Sequence, residues 1–410
     1  MKKNREKKTS QVHLFTRAGL YPDAVSSGIV ASQADDAMAG QCLESYAVEH
    51  NAAALVFAAL SCGRRRIAEN QISRLRRSEE LLGPAVAYAE GTVEVTLGIS
   101  TEVLFADWGA IRRRRFQEAE AALEAEAEEV ERKEKEKKEK KWWSFSSSPS
   151  SSSSSPSSLS TSKERGLCVP GGAEFAAAMK AAASALELAA AAEKIGGGIG
   201  GGGGGKVDSS LAEAAVRHAE ELASALAAEP PTRPGGGPGI YACGHREVAS
   251  GFAALARARL LLVSAAAEGK SGNEKEQEND GEKAAAARAA AKVLEKHELS
   301  QSRTSYMEPP RSQLPLAPCL GYLHLRAGDF DQAAEAFRRD LRARPANGRG
   351  LLGLALALEG LLRDRSSGDR KNETERERLS ATARETRRSF ERAWRGADAP
   401  LSSPCPALSE

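Results

Sequence analysis

The stretch Leu314–Asn347, LPLAPCLGYLHLRAGDFDQAAEAFRRDLRARPAN, constrains this chain more than any other. Apolar and small residues recur at helical spacing on both sides of Gly328, and Pro345 ends the pattern. The spacing predicts a helix, a tight turn at Gly328 where glycine supplies backbone freedom, and a second helix that Pro345 stops. Small Gly321 and Ala333 let the two helices approach, while Leu320 and Phe337 fill the space beside them.

The offsets of Leu320-Gly321, His324, Gly328, Phe330, Ala333, Phe337 and Pro345 resemble the tetratricopeptide repeat. That unit is a helix-turn-helix of about 34 residues with an L-G-x₂-Y…A-x₃-F…P signature. His324 stands where the signature has Tyr, and Asp340 where such repeats usually have a small residue that lets the next helix close in. Residues 12–31 repeat part of the pattern, with Gly19, Tyr21, Ala24 and Ala31 at the offsets of Gly328, Phe330, Ala333 and Asp340. A repeat entered partway through its first helix implies a piece missing upstream and an apolar face left open.

Aromatic residues make up only 5% of the 410 residues, alanine is abundant and β-branched runs are few, so the chain is expected to be all-α. Much of its length is low in complexity. Ser146–Ser158 holds eleven serines and two prolines, and Gly196–Gly205 holds nine glycines in ten positions. Neither can offset the entropy of ordering. The resulting organisation is N-terminal helical repeats over 1–141, a Ser-rich linker over 142–172 and Ala-rich helices with Gly/Pro loops over 173–300. C-terminal repeats over 301–400 and a tail over 401–410 complete it. Within these, a helical hairpin is expected at 50–82, and Ala-rich helices at 173–194 and 209–228. A further hairpin pairs an apolar helix at 245–268 with an Ala-rich partner at 282–297, joined by a polar, mobile connector at 269–281. Another joins 348–363 to 379–396 across an inserted charged turn, with Trp394 as a large candidate for burial. In residues 84–108, Val93, Val95, Leu97 and Ile99 alternate like a strand, but Gly91 and Gly98 interrupt them and a helix or irregular turn is the better reading. A charged rod begins at Ala110, and Trp142-Trp143 beyond it read as a locally packed or exposed pair in preference to a docking one.

Net charge is +2, which gives no global attraction to nucleic acid or membrane. Cys42, Cys62, Cys168, Cys243, Cys319 and Cys405 are widely separated without a C-x-x-C pair. They read as reduced thiols, with no disulfide framework and no zinc site. The basic N-terminus leads into an apolar run too short for a signal-peptide core, and no uninterrupted run of 18 apolar residues occurs. The expectation is a cytoplasmic protein with no membrane association; Lys7-Lys8 and their neighbours leave a nuclear address open.

Chemistry-bearing motifs are sparse. Gly200–Lys206 imitates a phosphate loop, but Val207 takes the hydroxyl position and no strand precedes the glycines, so a flexible loop is the better reading. Cys243-Gly244-His245 supplies two ligand types without partners at metal spacing. No nucleophile-elbow, zincin or kinase set is present, so no catalytic residue, metal or cofactor is assigned. Arg64–Arg66, Arg74, Arg76–Arg77 and Arg112–Arg115 could meet phosphates, yet lack interleaved aromatics for base stacking. Residues 338–395 carry 16 Lys/Arg against 9 Asp/Glu, an excess that suits an acidic partner peptide.

The chain further resembles a group of tetratricopeptide repeat proteins without an assigned reaction, over residues 12–75, 95–115 and 250–398. Their Y-x-E-P-P element is matched by Tyr306-Met307-Glu308-Pro309-Pro310. Their D-L…P-x-N-G-x-x-L-x-G-L run is matched by Asp340-Leu341, Pro345, Asn347-Gly348, Leu351 and Gly353-Leu354. The resemblance implies a helical-hairpin solenoid with low-complexity insertions, acting as a non-catalytic scaffold that holds a peptide or protein in a concave groove. An RNA-associated repeat protein is the alternative, and an enzyme of another kind a third. Groove positions of such units fall here on Tyr322, Leu325, Arg326, Arg349, Leu352, Leu356 and Glu359. Arginines beside a tyrosine and leucines could pair a carboxylate while burying an apolar side chain.

Overall fold

The computed structural model describes residues 11–37, 46–82, 110–111, 113–114, 117, 132, 172–192, 209–228, 245–268, 276–302, 314–364 and 373–409. The chain forms two compact units, one of residues 1–108 with 169–410 and one of 109–168. In the smaller unit Ala110, Ile111, Arg113, Arg114, Gln117 and Arg132 are helical. The strand-like run at 93–99, Trp142-Trp143, the Ser-rich and Gly-rich tracts, Gly200–Lys206 and Cys243-Gly244 lie outside the described residues.

The larger unit is all-helical among the described residues, as composition led us to expect. Its helices are α1 (residues 11–17), α2 (Tyr21–Ala37), α3 (Tyr46–Ser61), α4 (Arg65–Leu82), α5 (Gly172–Ala192) and α6 (Ser209–Ala228). They continue with α7 (His245–Glu268), α8 (Glu276–Ser302), α9 (Leu316–Ala327), α10 (Phe330–Ala343), α11 (Gly348–Asp364) and α12 (Glu373–Ala393). A 3₁₀ turn at Pro406–Leu408 closes the C-terminal segment.

Successive helices pack in pairs: α5 on α6, α7 on α8, α9 on α10 and α11 on α12. The first helices of neighbouring pairs also touch, α5 on α7 and α9 on α11, and Gly251 of α7 leaves room for Leu316 of α9. Turn chemistry makes the pairs. Gly328 adopts φ +77°, its N–H bonds the Leu325 carbonyl and the next N–H bonds that of His324, closing the α9 terminus. Gly19 repeats this with Thr16 and Phe15 at φ +72°. The offsets that joined residues 12–31 to the strongest repeat therefore mark the same turn.

Small residues set the helix spacing, and Phe337 fills it. A Cβ on Gly321 would lie 2.7 Å from the Phe337 ring, and one on Gly353 would lie 2.1 Å from it. The ring is wholly buried between α9 and α11, with Ala333, Leu354, Ala357 and Leu358 in the same core. α3 is the other centre. Every residue from Asn51 to Gly63 is buried, and Tyr21 meets Phe57 edge to face at 6.1 Å. On the first hairpin, Leu14, Leu20 and Val30 are exposed, while Val12 is buried.

Several sequence expectations are corrected. α8 begins at Glu276 and α12 at Glu373, inside stretches read as mobile or as a turn insertion. Glu373 and Glu375 sit in the first turn of α12, where carboxylates favour the positive end of the helix dipole, so charge density there marks a helix start. The cysteines are corrected too: Cys319 of α9 and Cys405 form a disulfide across 86 residues of sequence. Sequence spacing could not pair them, because the contact is made by the return path of the tail. Residues 403–409, set apart above as tail, are buried throughout. Over Glu247–Ala266, α7 is long and apolar enough to cross a membrane by length and composition, and 72% of that window is buried inside this chain.

Candidate interaction face and the buried ionic knot

The seven groove positions separate once the helices pack. Arg349 and Leu352 are buried, which corrects their expected place on an open surface. Tyr322, Leu325, Arg326, Leu356 and Glu359 are half-buried. Leu325 leans on the core around Phe337. Glu359 accepts from Arg387 of α12 at 2.7 Å, so it ties its own pair of helices together. The set is not one continuous accessible surface. A clamp made by Arg326 and Arg349 on an outside carboxylate is closed off on the Arg349 side.

Arg349 belongs to an internal knot around Asp340. One Asp340 oxygen accepts from the Arg344 guanidinium at 2.8 and 2.5 Å, and the other accepts from Asn347 Nδ2 at 2.8 Å. Asn347 in turn accepts the Arg349 backbone N–H at 3.3 Å. Burial lowers the Arg349 pKa to about 10, and the Asp340 charge opposes that shift. The unusual Asp340 is thus explained. A Cβ on Gly350 would lie 2.5 Å from its carboxylate, so the small residue needed for close approach has moved to the facing helix. Tyr21 is drawn to the same place. Burial raises its pKa, with Arg344 pulling the other way, and its buried hydroxyl has no hydrogen-bond partner among the described residues. Gly19 lies so close to Pro345 that a Cβ would overlap the Pro345 carbonyl.

The C-terminal segment forms a second junction. Asp398 accepts the backbone N–H groups of Arg65 at 2.6 Å and Arg66 at 3.2 Å, capping α4 from the far end of the chain. Trp394 covers Gly63 and Gly348, where a Cβ would come within 2.5 and 2.3 Å of the indole, and its Nε1 donates to the Ala399 carbonyl at 3.0 Å. Further on, the disulfide joins the segment to α9, and buried Arg259 of α7 donates to the Ser409 carbonyl. Replacing Asp398 with alanine should cost about 1 kcal/mol, the usual worth of a helix cap. Faster amide exchange at Arg65 and Arg66, with α11 unchanged, would register that loss.

Basic clusters behave differently from a phosphate-binding stripe. Arg65 pairs with Glu69 at 2.6 Å and Arg74 with Asp36 at 2.6 Å, so two of the arginines singled out in the sequence are engaged within the chain. By contrast, Arg384, Arg388 and Arg392 follow one another at four-residue spacing on α12, with Arg395 just beyond, and all four are exposed. Four-residue spacing keeps them on one stripe of the helix. The excess charge is legible in composition, but the stripe becomes visible only once α12 has defined ends. Among the described residues no group of three His, Cys, Asp or Glu side chains could hold a metal ion. Compared with protein-family models, curated proteins and solved structures, the chain matches none.

Proposed function

We propose that this chain is a non-catalytic helical-repeat scaffold of the tetratricopeptide type, cytoplasmic, which holds an acidic segment of a protein partner. The reading is supported by paired helices whose first members touch in series, the arrangement from which solenoids are built. It is carried by the arginine stripe Arg384, Arg388 and Arg392 on α12. Arg392 and Arg388 share Glu385 at 2.9 and 3.8 Å, and all three side chains are more than half exposed. Exposed ion pairs of this kind are worth little, so an incoming carboxylate can exchange for Glu385 at small cost. Tyr322, Arg326 and Leu356, half-buried on the first helices, remain proposed groove contacts.

A short polyglutamate peptide and a single-stranded RNA, each followed by fluorescence anisotropy, test this reading. We expect polyglutamate to bind, to weaken as salt rises, and to lose about tenfold affinity in the triple variant Arg384→Gln, Arg388→Gln, Arg392→Gln. The variant should melt close to the parent, because exposed substitutions change stability by only about 0.5 kcal/mol. Binding of RNA alone would move the assignment to the nucleic-acid reading, and binding of neither would remove the stripe as a functional surface.

A further inference from the structure

We propose that Ala399–Ser409 is a redox-latched strap: the chain's own C-terminal peptide fills a seat on α7 and α9, and two-electron reduction of Cys319–Cys405 lets it lift. The segment is held differently at its two ends. Near Ala399 it is anchored by backbone bonds from Asp398 and Ala399 to the Gly63 carbonyl at 3.0 and 3.3 Å, and by the Trp394 indole. At the far end it is held by the disulfide to α9 and by Arg259 of α7. Between them Pro404, Cys405, Pro406, Ala407 and Leu408 are buried, so the strap leaves a seat of matching apolar chemistry when it departs.

Proline-rich sequence suits a detachable element, because Pro404 and Pro406 restrict the free peptide and reduce the entropy lost when it is seated. Its only regular structure is one 3₁₀ turn, so few backbone hydrogen bonds are broken on release. Both cysteines are 0% exposed, so a reductant reaches the bond only when the strap breathes. The chemistry is ordinary exchange with a dithiol. A thiolate of the reductant attacks one sulfur, the other cysteine leaves as thiolate and takes a proton, and the second thiol of the reductant displaces the first cysteine. The protein gains two electrons and two protons, and the reductant becomes a cyclic disulfide. In a reducing compartment a bond of this kind is transient and sensing, not permanent.

The experiment uses the full chain purified without reductant, then treated or not with dithiothreitol, with Cys405→Ser as a reductant-independent open form. Peptide mapping should recover the Cys319–Cys405 link. Hydrogen exchange over 403–409 should accelerate about tenfold or more on reduction and in Cys405→Ser, while exchange over 351–361 of α11 stays constant. A fluorescent peptide copying 399–409 with Cys405→Ser should bind the open forms at least about tenfold more tightly than the oxidised protein, because the oxidised seat is occupied. Arg259→Gln in the Cys405→Ser background should abolish that binding. Absence of the link in the mapped protein would overturn the proposal, as would equal exchange in both redox states or failure of the peptide to bind any open form. A rise in α11 exchange together with the strap would equally overturn it, because the bond would then be a general staple. None of these readouts depends on the arginine stripe of α12.

Discussion

Replacing Asp340 with alanine will cost about 3–5 kcal/mol, the loss that follows when one partner of a buried charge group is removed. Buried Arg349 then loses the charge of Asp340, and Asn347 loses that acceptor. Water cannot step in easily, since Asp340 and Asn347 are nearly inaccessible and Arg349 is 3% exposed. Arg344→Ala should cost markedly less, because that side chain is a quarter exposed and Asp340 keeps Asn347. Urea unfolding of the two variants separates them. A loss from Asp340→Ala no larger than that from Arg344→Ala would show that the knot contributes position without energy.

Phe337→Ala is the second large effect, also about 3–5 kcal/mol. The ring rests on Gly321 and Gly353, which have no side chains to move into the space it leaves, so the cavity should persist. A double-mutant cycle makes the geometry testable. Gly353→Ala alone should destabilise by about 1–3 kcal/mol, because its Cβ meets the ring. In the Phe337→Ala background the same methyl enters vacant space and gains helix propensity, so its effect should change sign. Additive losses in the cycle would mean that the ring does not sit against Gly353.

The hairpin around Gly328 was legible because its determinants are local. Glycine at positive φ, a small residue where helices cross and a proline beyond the second helix each act within a few residues, so the linear order carries their meaning. The same logic found the turn at Gly19, and it placed α6 and α7 at the bounds observed. It was weaker at α8 and α12, whose charged first turns look like loops until dipole and packing are considered. For the interaction face, composition disclosed a basic C-terminal region. It could not separate arginines that serve the interior, such as Arg344 and Arg349, from those that face out on α12.

By itself, then, the sequence determined the helical character of the described residues, their paired helices and the core role of Phe337, since helix periodicity and turn chemistry are properties of neighbouring residues. Only the tertiary structure decided three other matters. It turned Asp340 inward against Gly350, drew Cys405 to Cys319, and set Asp398 on the start of α4 and Arg259 on the end of the tail. These contacts join residues up to 333 apart in sequence. No local preference encodes such pairs. They exist because buried charges, backbone donors and apolar tail residues must each find a partner when the helices close, and the partner is chosen by where the packed surfaces place it.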